Sequence, residues 1–133
     1  MKYSQATDYA LHAMLYLVNA APDKPVSVQH LAEKLGVSQT YLSKMLTKLV
    51  KAGLIQSVSG ANGGYRLRQN RDDISFLDII HAIEGTASLF ECSINHGNEC
   101  LVQQVVVEAE RRMEDYLKSK KIVELAGQFK GIE

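Results

Sequence analysis

Residues 27–53 read Ser27-Val-Gln-His-Leu-Ala-Glu-Lys-Leu-Gly36-Val-Ser38-Gln-Thr-Tyr-Leu-Ser-Lys-Met-Leu-Thr-Lys-Leu-Val-Lys-Ala-Gly53. Val28, Leu31, Ala32 and Leu35 recur at the spacing of one helix face. Ser27 stands where a hydroxyl can accept the free amides of a first turn. Gly36 stands where a left-handed residue ends a helix without a Cβ clash. A second run, with Leu42, Met45, Leu46, Leu49 and Val50, starts after Ser38 and stops at Ala52-Gly53. The stretch therefore predicts helix, tight turn, helix. The face of the second helix away from its apolar stripe holds Gln39, Thr40, Ser43, Lys44, Thr47, Lys48 and Lys51. It contains no acid, whereas a merely solvated face usually mixes both signs.

The flanks extend this unit. Toward the N-terminus, Tyr9, Ala10, Ala13, Met14, Leu17 and Val18 predict a first helix over 7–19, closed by the prolines at 22 and 25. Toward the C-terminus, Leu54 to Val58 and Tyr65 to Arg68 read as two short strands around Ser59-Gly60-Ala61-Asn62-Gly63-Gly64, where Asn-Gly signals a hairpin. Arg66 and Arg68 share one face of the second strand. Ser75 then caps a helix carrying Phe76, Leu77, Ile79, Ile80 and Ile83 up to Gly85. Leu101 to Leu117 is the longest predicted helix, and Val102, Val106, Ala109, Met113 and Tyr116 alternate by four and three along it. That spacing is a coiled-coil seam, which either pairs with a second copy or packs back onto its own domain.

Charge supports a polyanion partner although the chain is formally neutral overall. Residues 27–70 hold six basic groups against one acid, a net +5, and residues 71–133 hold seven against twelve, a net −5. A dipolar chain of this kind can bind a polyanion with one face. The 133 residues suit one compact domain with an appended element. No apolar run spans a bilayer and no secretory signal core opens the chain, so a cytoplasmic location is expected. No nucleophile, base and oxyanion-stabilising set emerges, which argues against an enzyme.

A helix-turn-helix, a cationic second helix and a glycine-rich hairpin bearing arginines describe a winged helix, mainly α with a small β wing. In that reading Ser38, Gln39, Thr40, Tyr41 and Ser43 reach base edges or phosphates in a major groove, and Lys44 and Lys48 neutralise backbone charge. The wing brings Gly60, Asn62, Gly63 and Gly64 near the duplex, with Arg66 or Arg68 as its cation. The expected organisation is a winged-helix DNA-binding domain over 1–85, a cysteine-containing sensor loop over 86–100, and a dimerisation helix with a tail over 101–133. A winged-helix module that binds protein and has no operator is the rival reading, and the basic middle segment argues against it.

Leu35-Gly36-Val37-Ser38, Tyr41-Leu42, Ala52-Gly53-Leu54-Ile55, Gly60-Ala61-Asn62-Gly63-Gly64-Tyr65-Arg66-Leu67 and Ala82-Ile83-Glu84-Gly85 together resemble the Rrf-two family of bacterial winged-helix transcription regulators. Its members include an iron-sulfur cluster regulator, a nitric-oxide-sensing repressor and a cysteine-metabolism repressor. The resemblance implies a homodimer joined by its long C-terminal helices, acting as a repressor on a palindromic site in double-stranded promoter DNA. It also marks departures. Ser59 stands where many members carry arginine before the wing glycine, and Gln103 where some carry a histidine ligand. Cluster-binding members place three cysteines before the dimer helix, whereas this chain has Cys92 and Cys100 alone. Asp8 matches an acidic ligand of the nitric-oxide-sensing members. Three readings of the loop stay open: a thiol redox switch, a metal or incomplete iron-sulfur cluster held with His96 or Asp8, and inert thiols.

Overall fold

The computed structural model describes residues 4–20, 24–88, 100–126 and 128. Five α-helices and one hairpin follow in the order α1 (Gln5–Asn19), α2 (Val28–Leu35), α3 (Gln39–Lys51), β1 (Ile55–Val58), β2 (Gly64–Leu67), α4 (Phe76–Glu84) and α5 (Leu101–Ser119). Short 3-10 turns cover Arg71–Asp73 and Ile122–Leu125.

Serine hydroxyls start four of these helices. Ser4, Ser27, Ser38 and Ser75 accept the amides of Thr7, His30, Tyr41 and Asp78. At Ser75 the Asp78 carboxylate also accepts the Ser75 amide, completing a reciprocal capping box. Gly36 ends α2 in the left-handed region at φ 71°. In α1 to α4, most positions that sequence periodicity marks as apolar are withdrawn from solvent. Ala10, Ala13 and Met14 of α1, Leu31 of α2, and Leu42, Leu46 and Leu49 of α3 are fully buried. Ile74 and Ile79, before and within α4, join them in one core. α1 runs through the middle of that core, in contact with α2, α3, α4 and β2.

The hairpin pairs Ile55 with Leu67 and Val58 with Gly64 in antiparallel register. β1 begins one residue later than the sequence reading placed it and ends at the same residue, and β2 begins and ends one residue earlier. The loop spans five residues, 59–63, closed by a Gly63 amide to Gly60 carbonyl bond of 3.1 Å. Ala61 and Asn62 therefore occupy the turn centre, and positive φ falls on Gly60 and Gly64 and not on Asn62. Asn62-Gly63 thus does not form the two-residue hairpin turn that this dipeptide often makes.

Two long-range pairings tie the ends of the fold together. Val26 and Tyr65 exchange both backbone hydrogen bonds at 2.8 Å, adding a one-residue third strand to the wing. After α5, the chain passes along the start of α4. There the Phe76 amide donates to the Lys120 carbonyl and the Ile122 amide to the Ile74 carbonyl, each at 2.9 Å. Ile122 enters the core with no exposed surface.

α5 packs against α4. Gln103 and Leu117 are half-buried and Glu110 is buried, and these three lie on one line along the helix. Glu110 accepts the Ser88 hydroxyl at 3.1 Å. The seam residues lie about a quarter turn away. Val102 and Tyr116 are 63% and 62% exposed, Ala109 is exposed, and Val106 and Met113 are half-buried. Val102, Ala109 and Tyr116 of the apolar stripe therefore face solvent, whereas Val106 and Met113 are partly covered. Further round, Glu108 binds Arg111 and Arg112, and Arg111 also reaches Asp115. Hydrogen bonds from both arginines hold the Glu108 carboxyl below its ordinary value. Among the described residues, no helix is long and apolar enough to cross a membrane.

Candidate nucleic-acid interface

The geometry of α3 follows from its two faces. Leu42, Met45, Leu46 and Leu49 anchor it in the core, which turns Gln39, Thr40, Lys44, Thr47, Lys48 and Lys51 outward. Ser43 is half-buried at the edge of that face. An exposed, cationic helix of 13 residues with no acid on it suits the width of a DNA major groove.

Two residues of the expected contact set have local partners. The Ser38 hydroxyl accepts the Tyr41 amide at 3.1 Å and so holds the first turn of α3. Tyr41 is 38% exposed and meets Tyr9 of α1 edge to face, with ring centroids 6.0 Å apart. Its ring thus braces the start of α3 against α1. Thr47, which the sequence reading placed on the polar face without a role, donates its hydroxyl to the Ser43 carbonyl at 2.8 Å.

The wing divides its residues between shape and charge. A Cβ on Gly63 would lie 2.1 Å from the Val58 carbonyl oxygen, and one on Gly64 would lie 2.3 Å from that of Val26. These glycines are required by the hairpin itself. Gly60, at φ +107°, has open space around it. Asn62 is exposed at the tip. Arg66 is half-buried and reaches Gln56 across the hairpin, Nε to Oε1, at 3.4 Å. Arg68 lies just past β2, at the base of the wing. Its guanidinium donates to Asp73 at 2.7 Å, to the Asn70 carbonyl at 3.3 Å and to the Gly53 carbonyl at 3.5 Å. The two arginines therefore sit in different surroundings: Arg66 on the hairpin, Arg68 clamping the turn after α3 to the residues before α4.

A second cluster joins the start of α1 to the end of α4. One carboxylate oxygen of Glu84 accepts the Ser4 amide at 3.1 Å, the Ser4 hydroxyl at 2.6 Å and the Thr7 hydroxyl at 2.6 Å. The Ser4 side chain, then Thr7, holds the Glu84 carboxyl below its ordinary value, and the charge of Lys48 acts in the same direction. Sequence patterning does not signal this cluster, because its members come from opposite ends of the domain.

The residues expected to act as thiols or ligands are placed in part. Cys92 and His96 lie outside the described residues. Cys100 is buried at the N-cap of α5, where its Sγ accepts the Gln103 amide at 3.3 Å. Asp8 is exposed on the first turn of α1 and pairs with His12 at 3.3 Å. Two cysteines in the whole chain fall short of the four thiolates that usually hold an iron-sulfur cluster. Among the described residues, no group of three His, Cys, Asp or Glu side chains is close enough to hold a metal ion. The donors on view do not form a cluster cage.

Comparison with known proteins agrees with this architecture. Residues 3–128 match the Rrf2 family model, described as an iron-dependent transcriptional regulator. The HTH-type transcriptional regulator NsrR of Geobacillus kaustophilus is 32% identical over 105 residues, covering 79% of this chain and 71% of that protein. IscR of Vibrio campbellii is 31% identical over 129 residues, covering 94% and 77%. Among solved structures, CymR (YrzC), the global cysteine regulator of B. subtilis, matches with a TM-score of 0.83 at 28% identity, covering 98% of this chain and 99% of that one. The oxidized form of Staphylococcus aureus CymR matches at 0.78 and 31%, with the same coverage. These relatives are regulators and not enzymes. With the family match running from the first helix through the segment beyond α5, this chain belongs to the Rrf2 family of DNA-binding transcriptional regulators.

Proposed function

We propose that the protein is a cytoplasmic homodimeric repressor that binds palindromic promoter DNA through α3 and the wing, and that thiol chemistry before α5 sets its affinity. The acid-free cationic face of α3 beside an arginine-bearing wing carries the DNA reading. Gln39, Thr40 and Ser43 supply base-edge contacts, Lys44, Lys48 and Lys51 neutralise phosphates, and Tyr41 positions the helix start. Arg66 brings a cation to the groove flank, with Arg68 supporting the wing from its base.

The seam of Val102, Val106, Ala109, Met113 and Tyr116, exposed at Val102, Ala109 and Tyr116, supports pairing of α5 with a second copy. Two such domains present two α3 helices to half-sites about one helical turn apart. Cys100 caps α5, so a change in its chemistry alters the first turn of the helix that would join the protomers. A redox signal at Cys92 and Cys100 is our reading of the two thiols before α5, and S. aureus CymR, which this chain resembles, has a structure in an oxidized form.

The test is binding of promoter fragments selected from genomic DNA, measured across a salt series. Lys44→Ala and Arg66→Ala are each expected to weaken binding and to reduce the slope of log K against log salt by about 0.9. Unchanged affinity and slope in both would sink the docking face. Cys92→Ser and Cys100→Ser are expected to stay dimeric and to lose any response of DNA binding to oxidant or nitric oxide. A wild-type response in both variants removes the thiols as the sensor.

A further inference from the structure

The hydroxyl of Thr47 is turned onto its own helix. It donates to the Ser43 carbonyl at 2.8 Å, an i to i−4 bond inside α3. Thr47 is nevertheless exposed, one turn beyond Ser43 and one position before Lys48, on the face that carries no acid. A threonine whose hydroxyl proton is held this way keeps only acceptor capacity on its oxygen, and the one apolar group it offers a ligand is the γ-methyl. In the major groove the apolar feature of a base edge is the C5-methyl of thymine, the mark that separates an A·T pair by contact and not by hydrogen bonding.

We propose that Thr47 is a specificity-determining residue whose methyl group reads the C5-methyl of one thymine in each half-site. This inference rests on the docking of α3 in the major groove proposed above. Its neighbours have different chemistry. Lys44 and Lys48 are cations suited to phosphate, and Gln39 and Thr40 precede it by two turns, nearer the helix start. The Ser43 bond gives Thr47 a single presentation, so the contact needs no further ordering of the side chain when DNA binds.

Deoxyuridine scanning tests it, because deoxyuridine is thymidine without the C5-methyl. A binding site is selected from random duplexes with the full-length protein. Each thymine is then replaced in turn by deoxyuridine, and affinity is read by fluorescence anisotropy for wild type, T47S, T47V and K44A. For wild type, one replacement per half-site should weaken binding about fourfold, the loss of one buried methyl contact. T47S, which keeps the hydroxyl and lacks the methyl, should bind the thymine site about fourfold less tightly and be indifferent to deoxyuridine at that position. T47V, which keeps a methyl and lacks the hydroxyl, should remain sensitive to the same replacement.

If T47S and wild type respond alike to every replacement while K44A weakens binding and flattens its salt dependence, the inference fails and the docking of α3 stands. If K44A also binds as wild type does, the docking itself fails and the inference goes with it. If T47V becomes indifferent to the replacement, the hydroxyl and not the methyl carries the discrimination, and the proposal is overturned.

Discussion

Thr7 and Glu84, 77 residues apart in sequence, meet in a 2.6 Å hydrogen bond that joins the first turn of α1 to the last residue of α4. Thr7 is buried at 1% exposure, so its hydroxyl depends on this partner for satisfaction. Ser4, the cap of α1, uses the same carboxylate oxygen. The two helices that enclose the core from either end of the domain are thereby held in one register. The charge of Lys48 on α3 also favours the ionised form of this carboxyl.

Removing the acceptor should cost stability in a pH-dependent way. The Glu84 carboxyl is held below its ordinary value of 4.5, first by the Ser4 side chain and then by Thr7. A carboxyl lowered in the folded state stabilises fully above its unfolded value and loses that contribution as pH falls through the folded one. Glu84→Gln should therefore melt below wild type at neutral pH, with the gap closing on acidification below 4.5. Thermal melts by circular dichroism measure this, and a gap independent of pH would show that the carboxylate charge is not what the hydroxyls bind. Thr7→Val, which removes the donor, is expected to cost about 1 kcal/mol.

Ile122 anchors the end of α5 to the winged helix. It has no exposed surface, and its amide donates to the Ile74 carbonyl. Ile122→Ala leaves that backbone bond possible and opens a cavity, at a cost of about 3 kcal/mol. A urea midpoint lowered with little change in slope is the expected signature. A change below 1 kcal/mol would mean that the strap is held by its backbone alone.

The two ends of the wing turn should respond differently to alanine. At Gly64 a Cβ would overlap the Val26 carbonyl, so Gly64→Ala must break the Val26–Tyr65 pairing, at about 2–3 kcal/mol. At Gly60 there is open space and only an unfavourable φ, so Gly60→Ala should cost about 1 kcal/mol. Amide hydrogen exchange distinguishes the two: protection at Val26 and Tyr65 should fall in the first variant and persist in the second.

Arg66 and Arg68 are adjacent in pattern and different in surroundings. Arg68→Ala removes the bonds to Asp73, Asn70 and Gly53 and should lower the melting temperature by a few degrees as well as weaken DNA binding. Arg66→Ala loses only a long contact to Gln56 and should weaken DNA binding with the melting temperature nearly unchanged. Melting curves of the two variants beside their salt slopes separate the roles. Equal melting temperatures would remove the structural role of Arg68.

The apolar stripe of α5, exposed at Val102, Ala109 and Tyr116 and half-buried at Val106 and Met113, predicts self-association. Val106→Asp and Met113→Asp place charges in the middle of the stripe, where a partner helix would bury them without a counter-ion. Sedimentation velocity should show monomers in both variants, with normal helix content and much weaker binding to a palindromic site. Dimers of undiminished stability would place the interface elsewhere.

Much of this protein is determined locally. Ser27, Gly36, Ser38 and Ser75 act within four residues of their own position, and the buried faces of α1 to α4 repeat with the helical period, so caps, helices and core follow from the order of residues alone. The cationic face of α3 and the tight wing follow in the same way. Tertiary structure decided the rest. It set Val26 beside Tyr65, Ile122 beneath Ile74, and Glu84 against Thr7. It engaged Arg68 at the base of the wing while Arg66 stayed on the hairpin, and it left Val102, Ala109 and Tyr116 of α5 in solvent while burying Glu110. Each of these joins residues far apart in the chain through one or two contacts. A single contact has no period, so only closure of the core brings such partners within hydrogen-bonding distance.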